Sequence, residues 1–176
     1  LDGDGQADLV GHGGPDKAVY VYPMENYAYW ERELGRNDFS PGQFGENFTV
    51  EGMADEGIHI GDSFRIGTAL VQVTQPRVPC FKLAIRMDIP RFETRFAESC
   101  RVGFYLRVLE EGEVGADDEI EQVAADRESV SVRDMMHLLY FEPDNLAGAQ
   151  QALGIDALST NWRERFEGRL AVAGSP

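Results

Sequence analysis

The stretch Thr68-Ala69-Leu70-Val71-Gln72-Val73-Thr74-Gln75-Pro76-Arg77-Val78-Pro79-Cys80-Phe81-Lys82-Leu83 decides the fold class and carries the strongest chemical signal in the chain. Its first seven residues alternate. Ala69, Val71 and Val73 share one face, the pattern of a half-buried strand. Pro76 and Pro79 then stop the strand and stiffen the chain beyond it, which predicts a rigid loop presenting Cys80. Working outward, short strands with glycine turns recur at 58–60, 64–66, 103–109 and 119–123. Such spacing predicts a mainly β chain, a barrel or sandwich. One helix interrupts it. After Pro23, Tyr27, Trp30, Glu31 and Leu34 have helical spacing, and Gly35 is a natural stop. Tyr27, Tyr29 and Trp30 are read as core. Phe92 and Phe96, at i and i+4, predict a further helix within 88–98.

The last residues change character. Ser131 with Asp134 resembles a capping box, and Val132, Met135 and Leu139 follow on one face. Asp144 is placed to cap a second helix carrying Leu146, Ala149 and Leu153 and ending at Gly154. Ser159 caps a third, with Trp162, Phe166 and Leu170 every fourth residue. The organisation read from this is a β domain over 1–126 and a three-helix subdomain over 127–176, packed on the barrel or on a partner.

The 176 residues are enough for a real core without disulfides. Acidic residues outnumber basic ones by 31 to 16, for a net charge of −15. Phosphate backbones and anionic membranes repel such a chain, so nucleic-acid or membrane partners are not expected. Two cysteines, Cys80 and Cys100, are too few for a disulfide scaffold, and a reducing cytoplasm is the expected compartment.

Cys80 stands out because Arg77 and Lys82 put cations beside the thiol in an otherwise acidic chain. Nearby cations stabilise thiolate, the nucleophile and soft-metal ligand. A buried structural cysteine is the competing reading, and the preferred one for Cys100. In His12-Gly13-Gly14-Pro15-Asp16-Lys17, two glycines let backbone amides approach a ligand, and His12 and Lys17 add donors. That suits an oxyanion or phosphate, although a surface turn has the same pattern. It has neither the P-loop spacing nor the dinucleotide fingerprint. Phe44-Gly45-Glu46-Asn47-Phe48 offers the Asn47 amide in a tight bend, or simply a turn. Asp2-Gly3-Asp4-Gly5-Gln6-Ala7-Asp8 imitates the start of a calcium loop. Counted from Asp2, however, the required Gly and Glu positions hold Ala7 and Gly13. The histidines are His12, His59 and His137, and no nucleophile elbow or zinc cluster accompanies them. A Cys80–His12 nucleophilic pair is an open alternative.

Taken in order, His12-Gly13-Gly14-Pro15-Asp16-Lys17, then Phe44-Gly45-Glu46-Asn47, then Gln75-Pro76-Arg77 leading to Pro79-Cys80-Phe81-Lys82-Leu83, the chain resembles the MOSC domain. That family is named for the C-terminal domain of molybdenum cofactor sulfurases. The nearest likeness is to the bacterial N-hydroxylaminopurine-resistance molybdoproteins, which carry a three-helix C-terminal appendage. Gly61-Asp62 and 103–108 fit the same pattern, so the resemblance covers nearly the whole chain. It implies a MOSC β-barrel-like domain, with N-terminal strands expected to be missing before Leu1, and a bound molybdenum cofactor (molybdopterin). No pyridoxal phosphate binding is expected. It further implies that Cys80 ligates molybdenum and is catalytic. His12, Gly13, Gly14, Lys17, Asn47, Arg77 and Lys82 would hold the pterin and its phosphate, and Asp16 would assist proton delivery. The activity implied is an oxidoreductase that reduces N-hydroxylated bases or related N–O compounds, a detoxification. It would draw electrons from a separate redox protein, with a homodimer as a candidate assembly. A molybdenum cofactor or sulfur carrier without its own turnover is the alternative.

Overall fold

Val19–Pro23 (β1) is the second strand from one edge of the sheet, and all five of its residues are buried. In the computed structural model, which describes residues 13–126 and 129–174, the chain enters β1 from a short 3-10 turn, Pro15–Lys17. The helix Met24–Leu34 (α1) follows at once. Pro23 precedes its first turn, and Gly35 ends it at φ 63°, the left-handed conformation glycine adopts without penalty. The remaining strands are Phe48–Val50 (β2), Ser63–Ile66 (β3), Ala69–Pro76 (β4), Phe104–Glu110 (β5) and Ile120–Ala124 (β6). They form one curled six-stranded mixed sheet, a half-barrel, in the order β2-β1-β5-β4-β3-β6. Among the described strands only the β1–β2 pair is parallel.

The strand over 68–74 is present but longer than expected: β4 continues through Pro76. Its neighbour β3 pairs with Ala69–Gln72, and Val73 adds a last bond to Asp62 O (2.9 Å), so β3 makes no demand on the end of β4, where the proline stands. The register against β5 shifts between Val73 and Gln75. This bulge re-aims the end of β4, and the Thr74 hydroxyl lies within hydrogen-bond distance of the Asp16 carbonyl (2.6 Å) and the Tyr105 carbonyl (3.2 Å). Beyond Pro79 the expected loop is a helix instead, Phe81–Met87 (α2). The helix sought within 88–98 is Phe92–Glu98 (α3), entered through Arg91 at φ 60°. Residues 58–60 form only an isolated bridge, His59 to Ser131.

Three helices close the chain: Val132–Tyr140 (α4), Leu146–Leu153 (α5) and Thr160–Ala173 (α6). Ser131 Oγ accepts from the Asp134 amide and donates to its carboxylate, completing the expected cap. Ser159 caps α6. The α5 cap is Asn145 rather than Asp144; its Oδ1 accepts from Gly148 N. Leu146 is exposed, and Ala149 and Ala152 provide the buried face of α5. These helices share one core with the sheet, in which Met135, Met136, Trp162 and Phe166 join the strand residues Val71, Val73 and Leu106. A second part of that core is aromatic: Tyr22, Trp30, Phe44, Phe92 and Phe96 are fully buried, with Trp30 and Phe96 stacked at 5.8 Å.

Candidate functional site

Arg77 follows the last residue of β4, and its guanidinium is gripped from several sides. Nη1 donates to the Phe44 carbonyl (2.8 Å) and to the Tyr20 hydroxyl (3.2 Å). The group lies 4.7 Å over the Tyr20 ring and 5.7 Å over that of Phe96. Its own backbone N–H donates to Gly103 O. Burial works against its charge. The phenols of Tyr20 and Tyr105 and the Cys80 thiol around it raise its pKa nonetheless, so Arg77 stays a cation.

Tyr20 is the residue on which the separate motifs meet. Its amide donates to Asn47 Oδ1 (2.8 Å), and its carbonyl accepts from Asn47 N (2.8 Å). Asn47 thus extends the β2 edge onto β1. The bend before it is held by Glu46, whose buried carboxylate accepts from Tyr27 OH, Gly42 N, Phe44 N and Thr49 Oγ1. Burial raises the Tyr20 phenol well above its ordinary pKa, although Arg77 pulls it back. Tyr105, in β5 with its ring 5.3 Å from that of Tyr20, is likewise raised by burial, eased by Arg77 and pushed further by Cys80.

Cys80 has the extended backbone of an N-cap before α2, is half-buried, and makes no capping hydrogen bond. It follows Arg77 by three residues, and the thiol contributes to the raised pKa of both Arg77 and Tyr105. Gly13 and Gly14 lead into the 3-10 turn that Lys17 closes, two residues before β1. A Cβ built at Gly14, where φ is +98°, would meet nothing within 4 Å, so it is the backbone conformation and not crowding that favours glycine there. His12 lies outside the described residues, and so does the calcium-like segment.

Two further candidates, Asp16 and Lys82, sit apart from this cluster of contacts. Asp16 is a tether. Oδ1 pairs with Arg107 Nη2 at 2.9 Å and Oδ2 accepts from Thr160 N at 3.1 Å, so both carboxylate oxygens are engaged. Lys82 is exposed on α2, across the helix from the buried Leu83 and Met87. Cys100 is buried, as expected, and burial raises its thiol pKa. Sequence reasoning missed Tyr20, Tyr105 and Gln75. Gln75 is 2% exposed, one of the few buried residues here with an acceptor, Oε1, that has no partner among the described residues. An unpaired buried acceptor is costly and invites a ligand donor. The donor set therefore fits an anionic group carrying a soft metal: a thiol without a hydrogen-bond partner among the described residues, a buried cation and a spare acceptor, with the glycine turn at the start of β1.

Known proteins share this sequence pattern and fold. Residues 8–121 match the model of the MOSC domain, and residues 130–173 match the YiiM-like, 3-alpha helix domain. The Bacillus subtilis (strain 168) protein YflK is 45% identical over 166 residues, spanning 94% of this chain and 75% of that protein. The crystal structure of YiiM from Geobacillus stearothermophilus superposes with a TM-score of 0.86 at 41% identity, covering 90% of this chain and 80% of that one. A protein of Gibberella moniliformis (strain M3125 / FGSC 7600) named "Reductase" is 37% identical over 113 residues, 62% of this chain and 20% of its own length.

Proposed function

The chain belongs to the MOSC domain family, and we propose that it binds a molybdenum cofactor and reduces N-hydroxylated bases or related N–O compounds. The observation that carries this reading is the convergence of Arg77 and the Asn47 bend on Tyr20, with Cys80 three residues beyond Arg77 and the glycine turn leading into the same strand as Tyr20. When bound, the cofactor supplies the two-electron redox centre. Cys80 gives it a sulfur ligand. The Gly13 and Gly14 amides, Lys17, Asn47 Nδ2 and the buried charge of Arg77 hold the pterin and its phosphate. Lys82 adds to the positive field from the surface. Asp16 fixes the turn rather than donating protons, so water supplies them.

The reaction balances as a hydroxylamine taking two electrons and two protons to give an amine and water. The N–O bond breaks and the oxygen leaves as water. A separate redox protein supplies the electrons. A cytoplasmic setting suits two cysteines that remain free thiols.

The test starts with protein made in a molybdenum-replete host. Wild type is expected to carry molybdenum and to reduce N-hydroxylated purines with a chemical reductant. Cys80→Ala should stay folded, with stability changed by less than about 1 kcal/mol at this half-buried site, and should lose its metal. Unchanged metal retention in Cys80→Ala would overturn the ligand assignment. A metal-loaded wild type without turnover would favour a carrier.

A further inference from the structure

We infer that the outward face of α2 is the docking surface for an acidic redox protein, an inference that rests on the reductase reading above. Two large apolar side chains stand exposed on this short helix, Phe81 at 64% and Ile85 at 71%. They are i and i+4, so they form one stripe. Lys82 and Arg86 form the adjoining stripe, while Leu83 and Met87 fill the core side. The pattern is an apolar centre with a cationic border.

The charge of the segment that carries it is the reverse of the rest of the chain, although one of its cations, Arg77, is buried. Residues 77–91 hold four cations (Arg77, Lys82, Arg86 and Arg91) and one carboxylate, Asp88; the remaining chain holds twelve cations and thirty carboxylates. A partner with an acidic face is drawn to this helix and repelled elsewhere, which steers it to one orientation. Arg86 is held in place, its Nε and Nη2 donating to Gln43 O (2.7 Å) and Gly42 O (2.8 Å), so its charge is preorganised. The location suits electron delivery. Phe81 directly follows Cys80, and a donor seated here stands next to the proposed metal ligand. Two electrons per turnover would pass from the reduced partner, which is oxidised, to the N–O substrate, with protons taken from water.

The probes are two acidic electron carriers, a flavodoxin and a plant-type ferredoxin, titrated against the cofactor-loaded 176-residue protein. Ile85→Glu and Phe81→Ser are compared with wild type. Wild type is expected to bind at least one carrier, more weakly as salt rises. Ile85→Glu should weaken binding at least tenfold and abolish carrier-driven turnover, while keeping the molybdenum content and the turnover with a chemical reductant. Wild-type affinity in both variants, or no binding of either carrier, would overturn the docking surface. So would concentration-dependent dimerisation that Ile85→Glu removes, because the face would then belong to a second copy. Loss of chemical-reductant turnover in wild type sinks the reductase reading alone, because carrier binding is read independently of it.

Discussion

At the scale of single residues, Arg77 has the most to explain. A buried guanidinium is tolerable only when its donors are satisfied and its faces covered, and here Phe44 O, Tyr20 OH and two rings do both. Lysine would keep the charge and lose the planar stacking on Tyr20 and Phe96. Arg77→Lys is therefore expected to lower stability by about 1–3 kcal/mol, seen as a lower urea midpoint, and to reduce molybdenum retention with Cys80 intact. Full metal retention would remove Arg77 from the binding set. Part of this was legible in the sequence. Arg77 beside Cys80 and the glycine turn stand out by residue type alone. Tyr20 and Tyr105 do not, because they reach Arg77 only through pairing of β1 and β5, which lie far apart in the chain and carry no local signal.

At the scale of elements, the same limit explains which segments were visible. Helices α4 and α6 announced themselves by capping serines and one apolar face. β1 did not, because burial on both sides leaves no alternation to detect. α2 is seven residues long and follows two prolines, so it reads as more loop. The junction before β5 was equally silent, and it depends on Asp55. This fully buried carboxylate accepts from Asn26 Nδ2 (2.6 Å), Val102 N (3.1 Å) and Gly103 N (2.7 Å), and Gly103 O in turn receives the Arg77 amide. Burial pushes the Asp55 carboxyl up to about 6, against the lowering effect of those donors. The native state thus holds this proton to higher pH than the unfolded chain does. The stabilisation is complete below about pH 4 and is lost as pH rises through 6, on the order of 3 kcal/mol. The stability difference between wild type and Asp55→Asn should shift by about that amount between roughly pH 4 and 7. A difference independent of pH would mean that Asp55 titrates normally in the fold.

At the scale of the whole molecule, the question is whether sheet and terminal helices are one folding unit. The division read from the sequence at 126 and 127 treats the helices as an appendage. Backbone bonds such as Val132 N to Ile58 O and Ile60 N to Val130 O cross that division, and three further ties reach the start of α6. Ser159 N donates to Thr74 O (3.1 Å) at the β4 bulge, Arg107 Nη2 donates to Ala157 O (2.8 Å), and Asp16 joins the same Arg107 to the start of α6. Beneath them the apolar core is continuous. A helical trio that buried its own face would need none of these. Here, removing the sheet would expose Met135, Trp162 and Phe166, and removing the helices would uncover one side of β4. Cooperative loss of both is the physical consequence. Calorimetry should show a single transition with equal calorimetric and van't Hoff enthalpies. Asp16→Ala should lower its midpoint by a few degrees, about 1 kcal/mol for a half-exposed pair plus a helix-end acceptor, without splitting it. Two resolved transitions would instead make the helices an independent domain, and would reduce the Asp16–Arg107 tie to a contact between neighbours.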